Sequence, residues 1–220
     1  MASPEPPGAA LWDMDGTLVD SGEAHWLAWR EVLAREGVSV THGQFLATFG
    51  WRNAEILERW MGPDAGPERI ARVGEAKEEA YRERVRKEGV EPLPGAEACV
   101  RALRSAGWRQ AITSSAPRAN IEVVLDALGF RGLVDEHLGA EDVRRGKPDP
   151  ELFLRAAERL DVPPGRCVVV EDAGAGVEGA RRAGMACIGV GGEGVRAADV
   201  VVDSLADLAL AAFASLVEAR

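Results

Sequence analysis

Apolar and polar positions change rhythm once along this chain, and the change divides it. Residues 9 to 14 are mostly apolar and run straight into Asp15 and Gly16, which predicts a short buried strand ending in a loop. The next seventy residues carry helical spacing. Apolar positions recur every three or four residues over 22–36 and 52–60, and 67–88 sets Glu against Arg or Lys at helical intervals, predicting a solvated helix. Glu91-Pro92-Leu93-Pro94-Gly95 breaks that texture. Beyond it, predicted helices over 95–106, 118–128, 150–160 and 174–183 alternate with predicted strands over 109–113, 134–139, 167–170 and 186–190. A last short strand over 200–202 precedes a C-terminal helix.

Strands that alternate with helices imply a parallel sheet covered on both faces. The expected fold class is therefore α/β: a doubly wound, Rossmann-like core formed by 1–19 and 94–220. A small all-α cap domain, 20–93, is inserted after the first strand. Ligands of such sheets bind at the carboxyl ends of the strands.

Composition narrows the partners. The 220 residues carry a net charge of -10, which repels nucleic acid and anionic lipid but leaves room for a local anion pocket. Cys99, Cys167 and Cys187 are odd in number, and the last two sit in apolar runs, so free buried thiols in a cytoplasmic protein are expected. Met1–Gly8 lacks a basic start and an apolar stretch and reads as a short disordered tail. No apolar run approaches the roughly 20 residues of a membrane span. Trp12, Trp51, Trp60 and Trp108 suit core, pocket or interface equally, and the oligomeric state is not encoded in any motif.

Polar residues gather at the expected strand ends: Asp13 and Asp15 after the first, Thr113, Ser114 and Ser115 after the second, Glu171 and Asp172 after 167–170. Lys147 lies in Gly146-Lys147-Pro148, just before a helix. Singly, each reads as a turn, a cap or a solvated loop. Together they place acids, hydroxyls and a cation around one crevice. Carboxylates from two strand ends repel unless a hard dication, most simply Mg²⁺, lies between them. That dication and Lys147 would neutralise a phosphoryl group, with Thr113 and backbone N–H groups donating to its oxygens. One aspartate can attack phosphorus while the other, two residues on, moves protons.

Asp13-Met14-Asp15-Gly16-Thr17, Thr113, Lys147-Pro148 and Glu171-Asp172 resemble, in order and spacing, the four motifs of the haloacid dehalogenase superfamily, phosphatase branch. The resemblance implies Asp13 as nucleophile and Asp15 as general acid and base. It implies Thr113 and Lys147 as phosphoryl ligands, and Asp13, Asp15, Asp172 and Glu171 around Mg²⁺. More narrowly the chain is similar to the β-phosphoglucomutase branch. There His25, Arg52 and Lys77 of the cap match substrate-side positions, and Ser114, Ser115, Arg118 and Asn120 join them as candidates. That mutase carries a lysine just after its second motif, whereas this chain reads Ser114-Ser115-Ala116-Pro117-Arg118. Water is then the expected acceptor. The expectation is a phosphatase for a small phosphorylated metabolite such as a sugar phosphate, with β-phosphoglucomutase as the alternative. A receiver-like signalling domain also groups acids, a hydroxyl and a lysine around Mg²⁺, but it has no seventy-residue cap.

Overall fold

The computed structural model describes residues 6–48 and 50–219. Six strands, β1 (Ala9–Trp12), β2 (Arg109–Thr113), β3 (Glu136–Leu138), β4 (Cys167–Glu171), β5 (Ala186–Val190) and β6 (Val200–Val202), form one sheet. Their order is β3-β2-β1-β4-β5-β6, and every neighbouring pair is parallel. The chain winds outward from β1 in both directions, so the switch point lies between β1 and β4, directly beyond Trp12.

Alternation along the strands feeds two cores. Ala9, Leu11 and Val169 face α7 (Glu151–Leu160) and α8 (Gly174–Arg182), where Phe153, Ala156 and Val177 meet them. Ala10, Trp12 and Val168 face the other way. They pack with α5 (Ala96–Ser105), α6 (Arg118–Leu128) and α9 (Ala211–Glu218) through Val100, Ile121 and Phe213. The buried Trp12 indole N–H donates to Gln110 Oε1 at 2.9 Å. The Gln110 amide in turn donates to the carbonyls of Val100 and Leu133 at 2.9 and 3.1 Å. Gln110→Leu would leave the buried Trp12 N–H without its acceptor and remove a donor from the Val100 and Leu133 carbonyls. The expected cost is about 1–3 kcal/mol, read as a lower urea midpoint at unchanged m-value; an unmoved midpoint would show that water replaces the amide.

Among the described residues, four α-helices stand between β1 and α5: α1 (Gly22–Arg35), α2 (His42–Leu46), α3 (Asn53–Met61) and α4 (Pro67–Glu88). The chain enters and leaves this insertion through adjacent segments. Asp20 N–H donates to the Glu91 carbonyl at 3.2 Å, and Leu93 N–H to that of Leu18 at 2.9 Å. Trp29 and Leu33 of α1 and Val73 and Tyr81 of α4 are buried in the same apolar cluster as Ala10, Trp12 and Val168 of the sheet, so the insertion's core is continuous with the sheet's.

Three expectations change. Residues 67–88 form a helix as predicted, but only its outer face is solvated. Val73, Lys77, Glu78, Tyr81 and Val85 are buried because α4 packs on α1 and on α6. The short α2 was not anticipated; Thr41 and Gln44 form a reciprocal capping box that starts it. Of the expected tail, residues 1–5 lie outside the described residues. Pro6 and Pro7 are tied down, their carbonyls accepting from Arg166 Nη2 at 2.5 and 3.1 Å.

Cys99, Cys167 and Cys187 are buried free thiols. No helix among the described residues is long and apolar enough to cross a membrane. Trp12 and Trp108 are core. Trp60 packs edge-on against Trp29, and Trp51 is exposed.

Candidate active site

The site lies at the switch point. The Asp13 N–H, one residue past β1, still pairs with the Val170 carbonyl at 2.9 Å, which fixes Asp13 beside the end of β4. The chain then turns sharply, the Met14 carbonyl accepting from Leu18 and Val19 N–H at 2.9 and 3.1 Å. Only glycine suits position 16: φ is +87°, and a Cβ there would sit 2.2 Å from Asp172 Oδ2. A Cβ at Gly176 in α8 would lie 1.9 Å from Glu171 Oε1. Both glycines thus let carboxylates approach the backbone closely.

Lys147 enters from the loop before α7. Its Nζ lies 2.6 Å from Asp13 Oδ1 and 2.5 Å from Glu171 Oε1. Asp13, Glu171 and Asp172 each present an oxygen, all within 4.8 Å of one another. Burial is the largest single influence on each group here, and it prevails at the three carboxylates. It drives the Asp13 pKa above its usual value against the pull of Lys147. Glu171 is pushed up to about 8, and Asp172 to about 7 by burial and by Asp13. Burial alone would lower Lys147, but Asp13 and Glu171 more than offset it and hold the ammonium charged. One ammonium among three crowded carboxylates leaves negative charge in excess. An all-oxygen set of this kind fits a hard dication such as Mg²⁺.

Asp15 turns toward the insertion. Its Oδ1 accepts from Ser21 Oγ at 2.5 Å and lies 3.5 Å from His25 Nε2. His25 stacks flat on Tyr81, ring centroids 3.9 Å apart, and its Nδ1 lies 2.9 Å from Lys77 Nζ. Burial, then the Lys77 charge, lowers the His25 pKa. A neutral ring accepts from Lys77 at Nδ1 and donates from Nε2 to Asp15. Burial pushes the Asp15 pKa up, yet His25 and Ser21 outweigh it and the net shift is downward.

Lys77 also donates to Glu78 Oε1 at 2.9 Å. The same oxygen accepts from Asn53 Nδ2 at 2.6 Å, and Glu78 Oε2 accepts from Asn120 Nδ2 at 2.5 Å. Burial opposes ionisation of Glu78, but Lys77 and the other donors hold its pKa at about 2.

A cavity of about 200 Å³ joins the two sides. Asp13, Asp15, Lys147, Glu171, Asp172, Ser114, Ser115, His25 and Lys77 all line it. Four candidates do not. Thr113 is a correction: its Oγ1 donates to the Trp12 carbonyl at 3.2 Å between β1 and β2, and Ser114, the first residue past β2, faces the cavity instead. Arg118 is half-exposed and paired with Asp142. Asn120 is fully buried behind Glu78, also accepting from Arg82 Nη1 at 3.1 Å. Arg52 immediately precedes α3 and lies over Gly146, whose added Cβ would meet Arg52 Nε at 2.9 Å. Ser21, Asn53 and Glu78 stood outside the residues the sequence singled out, and Trp51, left open there between core, pocket and interface, lines the cavity. The signal for Glu78 was present, since 73, 77, 78, 81 and 85 share one helical face.

The fold and the site define an α/β enzyme whose carboxylates and lysine converge where a doubly wound sheet binds small ligands. The family model for haloacid dehalogenase-like hydrolases matches residues 7–184. The fructose-1-phosphate phosphatase YqaB of Escherichia coli is 36% identical over 82% of this chain and 94% of its own. The β-phosphoglucomutase of Bacillus subtilis is 30% identical over 92% of each. Among solved structures, β-phosphoglucomutase of Clostridium difficile superposes with a TM-score of 0.85 at 28% identity, covering 96% of this chain and 97% of that one. The chain belongs to the haloacid dehalogenase-like hydrolases, as its motifs led one to expect.

Proposed function

We propose that this enzyme is a Mg²⁺-dependent phosphatase that hydrolyses a small sugar phosphate through an aspartyl-phosphate on Asp13. One observation carries the reading: Asp13, Lys147, Glu171 and Asp172 converge at the sheet's switch point while Asp15, two residues on, is held separately by Ser21 and His25. Relatives similar to this chain include a fructose-1-phosphate phosphatase and a validoxylamine A 7'-phosphate phosphatase.

Asp13, Glu171 and Asp172 would hold Mg²⁺, with Asp15 contributing through its backbone carbonyl. Bound there, the ion supplies charge stabilisation to phosphoryl oxygens. Lys147 orients the Asp13 carboxylate and offsets charge on the phosphoryl group, with Ser114 in reach of its oxygens. An Asp13 oxygen attacks phosphorus, the ester P–O bond breaks, and Asp15, ionised in the free enzyme, takes up a proton when the phosphoryl dianion binds and passes it to the departing alkoxide. Asp15 then takes a proton from water, whose oxygen attacks the acyl-phosphate and releases inorganic phosphate and free Asp13. Residues 20–93 act as a cap domain hinged at the paired segments 18–20 and 91–93, excluding bulk water when closed. Buried free thiols suit a cytoplasmic enzyme.

β-Phosphoglucomutase is the second reading, favoured by the His25–Lys77 pair on Asp15. Against it, no lysine follows Ser115, and Arg118 is engaged by Asp142 rather than facing the cavity. Phosphate release is the test, measured with Mg²⁺ on fructose 1-phosphate and on β-glucose 1-phosphate, the latter with and without a bisphosphate primer. Free phosphate from at least one is expected. Glucose 6-phosphate without free phosphate would establish the mutase, and no turnover of any ester in a sugar-phosphate panel would end both readings.

A further inference from the structure

The cavity's insertion side holds a carboxylate to which the mechanism above gives no task. Glu78 lines the cavity, yet its side chain is only 5% exposed and it sits against Lys77, the one lysine on that side. Building an ionised carboxylate into such a place is costly unless its donors are complete. Here they are supplied from three elements: Lys77 on α4 itself, Asn53 on α3 and Asn120 on α6. Arg82, one turn further along α4, orients Asn120. The arrangement is a built one, and its electrostatic effect is to cancel Lys77.

We infer that Glu78 sets substrate class: it neutralises Lys77 and so makes the distal half of the cavity a subsite for an uncharged polyol, excluding a second phosphate. The inference rests on the phosphatase reading above for where the reacting phosphoryl group lies. Five carboxylates line the cavity, Asp13, Asp15, Glu78, Glu171 and Asp172, against Lys77 and Lys147. One phosphoryl dianion is matched by Lys147 and the dication that the core carboxylates would hold. A second dianion would meet a lysine already paired, a carboxylate beside it and no other lining cation, with Arg52 turned over Gly146 instead. A neutral sugar meets better chemistry. Glu78 Oε2 retains acceptor capacity beyond its Asn120 bond, and the exposed Trp51 offers an indole face to sugar C–H groups. Glu78 is thus a specificity residue and takes no proton in the reaction.

The test separates this inference from the function it rests on by reading binding rather than turnover. In an Asp13→Asn background, calorimetry with Mg²⁺ compares fructose 1-phosphate with fructose 1,6-bisphosphate, with and without Glu78→Gln. With Glu78 present, the monophosphate is expected to bind at least as tightly as the bisphosphate. Glu78→Gln is expected to shift the ratio of the two affinities about 10-fold or more toward the bisphosphate, because one charge has been removed from a low-dielectric cavity. Glu78→Asp, which keeps the charge, should hold the original ratio within about 3-fold. A purely structural Glu78 would weaken both ligands alike. A ratio that does not move in Glu78→Gln, or a parent protein that prefers the bisphosphate, overturns the inference. Should Glu78→Gln fail to fold, the parent's preference alone decides. Absence of turnover in the wild-type enzyme would count against the phosphatase and leave this ratio readable.

Discussion

Asp13→Asn is expected to lower phosphate release by about 10⁴-fold or more, the scale on which loss of a covalent nucleophile is felt. The substitution removes the attacking oxyanion and changes little else. The amide is isosteric, the backbone bond from Asp13 N–H to Val170 is untouched, and Lys147 retains Glu171. Stability should move the other way. Burial lifts the Asp13 pKa above its unfolded value, so ionising it at neutral pH works against folding. That penalty is present above the folded pKa and vanishes as pH falls below the unfolded one. The amide removes it, so the metal-free variant should melt at or above the wild-type temperature at pH 7 and show no such gain at pH 3. The two measurements are a phosphate-release assay and a melting curve at both pH values. Retention of more than a tenth of wild-type turnover would show that another group attacks phosphorus.

Most of the framework was legible because its signals are local. Fully buried runs such as Cys167–Val170 and the alternation of strand with helix are written in consecutive residues, and the sheet followed from them. Asp13, Lys147 and Glu171 were legible for a related reason: each ends a predicted strand or opens a predicted helix, and the carboxyl edge of a parallel sheet gathers those positions. Thr113 misled because a hydroxyl at a strand end has two places to go. Its chain neighbours do not reveal that the Trp12 carbonyl lies 3.2 Å away. Arg118 misled similarly, since its partner Asp142 arrives from beyond β3. The network behind the cavity was the least readable part. Lys77 and Glu78 belong to a stretch whose charge pattern reads as surface. Only the packing of α4 against both α1 and α6 buries that face, and the donors that satisfy Glu78 come from positions 53 and 120.

Lys147→Met tests the electrostatics of the core site through stability rather than rate. The ammonium is almost wholly buried between Asp13 and Glu171 and is their shared counter-ion. Methionine fills a similar volume and packs against Phe153, over whose ring the ammonium lies at 5.5 Å. The loss is therefore mainly one of charge. Removing one member of a buried ionic cluster costs about 3 kcal/mol, and for a chain of this size that is a fall in Tm of about 6–12 °C. The carboxylates limit the damage by taking up protons, since Glu171 already titrates near 8 and Asp172 near 7. The destabilisation should accordingly grow as pH rises through that range. Mg²⁺ gives the second reading. With Lys147 gone, a dication among Asp13, Glu171 and Asp172 no longer competes with the ammonium for their oxygens, so saturating Mg²⁺ should raise the Tm of Lys147→Met by more than it raises that of the wild type. Equal shifts in the two proteins would mean that Lys147 and the metal do not share those carboxylates. No shift in either would mean that the acidic cluster binds no Mg²⁺. Turnover should fall by at least about 10³-fold even with Mg²⁺ present, because the ion cannot reproduce a donor fixed between the nucleophile and the end of β4.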